Sequence, residues 1–109
     1  MPFSPSLADR VRQALRHTRA IDERRMFGGL AFLLRGNLLV GVRKDSLLVR
    51  LGAEAAGRAL EDPHVTRFVA GQREMKGWVV VALDGLEGDP ALGHWIDGAI
   101  EFVTQLPPK

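Results

Sequence analysis

From Met26 to Gly52 the chain abandons any helical period. The stretch "MFGGLAFLLRGNLLVGVRKDSLLVRLG" holds three apolar runs separated only by "RGNL" and "RKDS". Connectors that short close tight hairpins, so the stretch predicts a three-stranded antiparallel meander. Gly36-Asn37 is expected to form the first turn, with glycine taking the positive φ at its first central position. Two later runs, "HVTRFVA" and "GWVVVAL", joined by the polar "GQREMK", predict a second hairpin. The expected sheet therefore has about five strands.

Helical periodicity flanks these runs. "SPSLADRVRQALRHTRAI" reads as an amphipathic helix with Ser4 and Pro5 at its start and Leu7, Val11, Ala14, Leu15 and Thr18 facing the core. On another face Arg12, Arg16 and Arg19 recur at helical spacing as a basic stripe, solvated in the simplest reading and able to meet phosphates or carboxylates. Residues 53–61 read as a short helix stopped by Asp62-Pro63. Asp89-Pro90 is suited to cap and open a last helix whose apolar face carries Leu92, Ile96, Ala99, Ile100, Val103 and Leu106, with Gly93 and Gly98 permitting close approach to a neighbour. The expected class is α+β: a mainly antiparallel sheet, a meander plus a hairpin, packed with N- and C-terminal helices. With 109 residues, 46% of them hydrophobic and 26% charged, one domain spanning residues 1–109 accounts for the whole chain.

Much chemistry is excluded on residue types. Cysteine is absent, which removes disulfides, thiol nucleophiles and thiolate metal sites and suits a cytoplasmic setting. His17, His64 and His94 are far apart in sequence and lack second ligands at metal-binding spacing. Ser4, Ser6 and Ser46 sit at helix starts or turns rather than at a nucleophile elbow. No apolar run approaches the roughly 20 residues of a membrane helix. No catalytic residue, metal or cofactor emerges. Net charge is only +2, yet residues 1–50 carry +6 and residues 51–109 carry −4. That asymmetry gives the N-terminal half a basic surface, or lets the two halves attract one another.

"RRMFGG", residues 24–29, looks at first like a phosphate loop. A phosphate loop leads from a strand into a helix and is followed by Lys and Ser or Thr; strands follow here. The glycine pair instead predicts a tight strand opening or a bulge.

Together "RRMFGGLAFLLRGNLLVGVRKDSLLVRLG" and the later "REMKGWVVV" resemble the TfoX/Sxy N-terminal domain family, over most of residues 8–106. The resemblance rests on Met26, Phe27, Gly28 and Gly29, and on Met75, Lys76, Gly77 and Trp78. It implies a small α+β domain without enzymatic activity. Its named members are accessory regulators that activate bacterial competence genes with the cyclic AMP receptor protein. They carry a second, C-terminal domain, whereas this sequence ends at "QLPPK".

The leading expectation is thus a regulatory interaction module that binds a protein partner, with a homodimer as a further option. Direct nucleic-acid binding through Arg12, Arg16, Arg19, Arg24 and Arg25 is the first alternative, and an unrecognised enzyme or small-ligand binder the second. The two motifs are expected on adjacent parts of one sheet. There they would form a lip in which Arg24, Arg25 and Lys76 place charge beside Phe27 and Trp78. Trp78, heading "WVVVAL", is expected to pack in the core.

Overall fold

A computed structural model describes residues 3–26 and 28–109. Its first helix, α1 (Pro5–Ala14), starts where the sequence predicts, with the Ser4 hydroxyl accepting the Leu7 N–H at 3.2 Å. It ends earlier than predicted, at Ala14, and Leu15 closes it. Leu7, Ala8, Val11 and Leu15 are buried, whereas Ala14 is exposed.

Six strands follow rather than five: β1 (Ile21–Met26), β2 (Gly29–Leu34), β3 (Asn37–Arg43), β4 (Ser46–Arg50), β5 (Val65–Ala70) and β6 (Arg73–Val81). All neighbours are antiparallel, in the order β1-β2-β3-β4-β6-β5. The additional strand is β1, "IDERRM", which has no buried residue. Its charges disguise it, and charge is what an edge strand uses to discourage further pairing. The meander is therefore four-stranded. Its β2–β3 turn lies one residue earlier than expected, because Leu34 pairs with Asn37 and leaves Arg35 and Gly36, both at positive φ, as the central pair of a type I′ turn.

The helix α2 (Ala53–Ala59) carries the chain from β4 to the far edge, where β5 begins, and β6 returns to pair with β4. After a 3₁₀ turn at Leu83–Leu86, α3 (Asp89–Val103) closes the fold. Gly88, not Asp89, occupies its N-cap, leaving Asp89 as the acid in its first turn. The α3 face buries Trp95 as well as Leu92, Ile96, Ala99 and Val103, and the indole N–H donates to the Gly85 carbonyl at 3.3 Å. Of the two α3 glycines, Gly98 sits against Leu51 and Gly93 against nothing.

The main core lies between the helices and one sheet face. It joins Leu7 and Val11 of α1 and Leu92, Ile96 and Ala99 of α3 to Leu30, Phe32, Val40, Val42, Leu47, Val49, Val79 and Val81. A second cluster, Ala31, Leu33, Leu38, Leu48 and Phe68, is drawn from strands alone and occupies the other face.

Both glycine motifs serve this sheet. Met26 pairs with Gly29, so the β1–β2 hairpin closes between them, where Gly28 has φ +72°. A side chain on Gly29 would overlap the Val42 carbonyl of β3. Gly29→Ala is therefore expected to lower stability by about 1–3 kcal/mol through overpacking against rigid backbone. Gly28→Ala, with open space around it, should cost only the left-handed conformation, roughly 1–2 kcal/mol. Gly57→Ala, exposed in α2 with nothing near, should stabilise by about 0.5–1 kcal/mol. Urea midpoints of the three variants should fall in that order.

Candidate functional site

Met75 and Lys76, expected in the connector, lie with Gly77 and Trp78 inside β6, and the segment interrupts the pairing. Arg67 pairs with Val79 and Val69 with Glu74, so residues 75–78 form an outsized bulge against Phe68. Gly77 makes the bulge feasible, at φ +88° and packed on Gly52 and Ala53. Its carbonyl accepts the N–H groups of both Leu51 and Gly52, at 2.8 and 3.0 Å, which fixes the junction between β4 and α2. The bulge turns Met75 onto the strand-only cluster, where Trp78 already stands by alternation with Val80.

The "MFGG" hairpin contributes to the same cluster. Met26, Met75, Trp78 and Val80, all partly buried, pack against it. Both motifs thus send side chains to one cluster on one face, although β3 and β4 separate their strands. Phe27, and with it the expected contact with Trp78, lies outside the described residues.

Long side chains span this face. Arg43 of β3 places its guanidinium 5.6 Å from the centre of the Phe68 ring on β5, two strands beyond its neighbour. Ala31 and Leu48 are only 1% exposed although no helix residue belongs to their cluster.

Trp78 is half-buried, not a core residue. It lies 6.3 Å from the Phe68 ring, tilted by 45°. On its other side stands Arg50, whose guanidinium is 4.9 Å from the Trp78 ring centre and 5.9 Å from that of Phe102 at the end of α3. The cation beside the tryptophan is therefore Arg50 rather than Lys76, which is exposed on the bulge. Arg50 is half-buried, and that burial pulls its pKa below the ordinary arginine value, though it stays charged at neutral pH. One N–H points to the Leu38 carbonyl at 3.5 Å. Among the described residues Arg50 makes no ion pair.

The strand register divides the remaining arginines. Arg24 pairs with Ala31 and so shares the strand-only face. Arg25 belongs to the opposite face, with its guanidinium 5.7 Å from the Phe3 ring centre. Because α1 ends at Ala14, Arg12, Arg16 and Arg19 do not form one helical stripe. Arg12 grips Glu23 of β1 with Nε and Nη2, both at 2.8 Å, and Asp9 with Nη1 at 2.7 Å. Arg16 donates to the His17 ring and the Gln13 carbonyl. Sequence reasoning passed over Arg43 and Arg50. The available signal was period two: Leu48 and Arg50 alternate on one face of β4, as Ala31 and Leu33 do on β2.

Concavities lie between helices. The larger, 540 Å³, runs between α2 and α3 and is lined by Ala55, Ala59, Ala91, Gly98, Arg58 and His94 among others. A small one of 160 Å³ separates α2 from the bulge, with Gly57 and Leu60 facing Met75 and Trp78. Among the described residues no group of His, Asp and Glu is arranged to hold a metal ion, and no helix is long and apolar enough to cross a membrane.

The Arg12 hydrogen bonds hold the Glu23 carboxyl below the usual carboxylate range, outweighing desolvation that acts the other way. A depressed folded-state pKa stabilises above the unfolded value, near 4.3, and that stabilisation is lost as pH falls through the folded value. Both side chains are about two-fifths exposed, at 43% and 38%, so the contribution is expected below about 1 kcal/mol. Glu23→Gln should lower the urea midpoint at pH 7 and match the parent at strongly acidic pH.

The TfoX N-terminal domain model matches residues 13–103, most of the chain, and the protein belongs to that family. No curated protein and no solved structure matches it.

Proposed function

We propose that this TfoX N-terminal domain is a non-enzymatic interaction module that binds a protein partner through the strand-only face of its sheet. It acts in the cytoplasm as an accessory regulator of transcription or competence, the role that family resemblance implies. The observation that carries this reading is the apolar cluster on that face, whose outer members Met26, Met75, Trp78 and Val80 are incompletely buried. An apolar surface ringed by charge is what recognition surfaces present to solvent.

A duplex-binding reading draws less support. Arg12, the best placed of the N-terminal arginines, is already held by two carboxylates, and a specific duplex interface needs a groove-reading element besides phosphate contacts. The domain is expected to bind duplex DNA no tighter than micromolar at physiological salt. Fluorescence anisotropy that reveals sub-micromolar binding, weakened by Arg12→Ala with Arg16→Ala, would reverse the preference.

Trp78 tests the main reading. Truncating a half-buried indole is expected to cost about 1–2 kcal/mol of stability, below the 3–5 kcal/mol of a fully buried one. Partner binding should fall by about 2 kcal/mol, as for an interfacial aromatic anchor. Urea titration reads the first quantity. Cross-linking in the native cell, followed by mass spectrometry of the parent and of Trp78→Ala, reads the second. A partner cross-linked equally to both, at sites remote from Met75 and Trp78, would refute the assignment.

A further inference from the structure

Resting on that reading, we infer that the partner segment is acidic as well as apolar, and that Arg50 receives one of its carboxylates between Trp78 and Phe102. Most arginines of this chain make no ion pair among the described residues, and the majority of those lie on open surface where water serves them. Arg12, Arg58 and Arg67, all on open surface, are paired with Glu23, Glu54 and Glu74 at 2.8, 2.8 and 3.3 Å. Arg50 is more deeply placed and among the described residues makes no ion pair. A guanidinium that has shed part of its hydration needs an oxygen acceptor in return. Two ring faces and one long hydrogen bond to the Leu38 carbonyl leave most of its five donors unused.

The rings hold that fork in place, which reduces the entropy lost when a carboxylate binds it in bidentate fashion. Arg24 and Arg43 share the face, and among the described strand residues parity puts only one acid there, Asp22 at the β1 edge opposite Leu33. The face is thus positive on a chain whose net charge is only +2. The apolar half of the segment is supplied with contacts by Met26, Met75 and Val80. The 160 Å³ cleft beside Met75 and Trp78 is well under the roughly 300 Å³ of a small-molecule pocket and suits one side chain.

Two other occupants fit less well. A second copy of this chain would set the same patch against itself across a two-fold axis, bringing Arg24, Arg43 and Arg50 against their own kind. Single-stranded nucleic acid needs open ring faces for base stacking, whereas guanidinium groups stand over Phe68 and Trp78.

The test selects a random dodecapeptide phage library on the immobilised domain and measures the chosen peptides by calorimetry. Arg50→Gln, Arg50→Lys, Trp78→Ala and the off-face control Arg58→Gln are compared with the parent, each checked for folding by circular dichroism. The expected peptides are rich in Asp or Glu among Leu, Met or Phe. They should bind about tenfold more weakly to Arg50→Gln, and weaken nearly as much with Arg50→Lys, which keeps the charge and loses the fork. Arg58→Gln should leave binding unchanged. Should Arg50→Gln fail to fold, the Arg50→Lys result decides. Peptides that lack acids, depend on Trp78 and ignore both Arg50 variants would overturn the acidic segment while sparing the interaction reading. Peptides indifferent to Trp78 and Arg50 alike, or no selection at all, would overturn both. Tight binding of oligo-deoxythymidine at physiological salt, lost in Arg50→Gln, would replace the peptide with a nucleic-acid strand.

Discussion

The central strands of this sheet are apolar on both faces, and the helices cover only one. All six residues of β2 are buried, as are the first six of β3. Antiparallel sheets with one solvated face ordinarily alternate apolar and polar residues, so an unbroken run requires a second cover. With α1 and α3 committed to the main core, that cover comes from the sheet itself. Leu33, Leu38, Leu48 and Phe68 form one cluster there, and Met26, Met75, Trp78 and Val80 pack against it. Arg43 and Arg50 stand at the Phe68 and Trp78 rings of the same face.

The two family motifs shape the backbone that carries this face. At one corner Gly29 lets β2 approach the β3 backbone more closely than any side chain allows. At the other, the Gly77 bulge absorbs several residues of β6 and delivers its carbonyl to the start of α2. Bulges increase local twist and re-aim side chains. Here the redirected side chain is Met75, since Trp78 stays in register with Arg50 and shares the face of Val80 by alternation. Backbone geometry and surface chemistry therefore share the same residues, and a glycine there supports side chains it does not touch.

How much of this was legible in the sequence follows from what carries a period. The apolar runs of β2, β3 and β4 and the Ser4 cap are local signals, and each stands where they indicated, whereas α2 ends at Ala59, two residues short of the stretch that Asp62-Pro63 was expected to close. The strand "IDERRM" escaped because edge strands are recognised by a neighbour rather than by hydrophobicity: its residues 22–25 are exposed and only pairing with β2 makes it a strand. The register of "MKGW" escaped for a related reason. A bulge is a mismatch between two strands, invisible in either alone. The basic stripe failed because Arg16 and Arg19 lie past the end of α1, and a helical wheel assigns a common face only while the helix lasts.

Charge followed the same rule. Two of the four acids in residues 1–50, Asp9 and Glu23, are gathered on the single Arg12, and the sum over a segment conceals such pairing. What survives on the surface is decided by strand parity. It sends Glu23 and Arg25 to the helix side and Asp22 and Arg24 to the other, and it gives β4 an arginine where two-residue alternation calls for an apolar side chain to follow Leu48. An apolar residue at position 50 would pack against Trp78 and Phe102 with no desolvation to offset. An arginine in that place costs stability in the free domain unless something outside it supplies the acceptor, which makes Arg50 the residue of this face whose chemistry is least accounted for by folding alone.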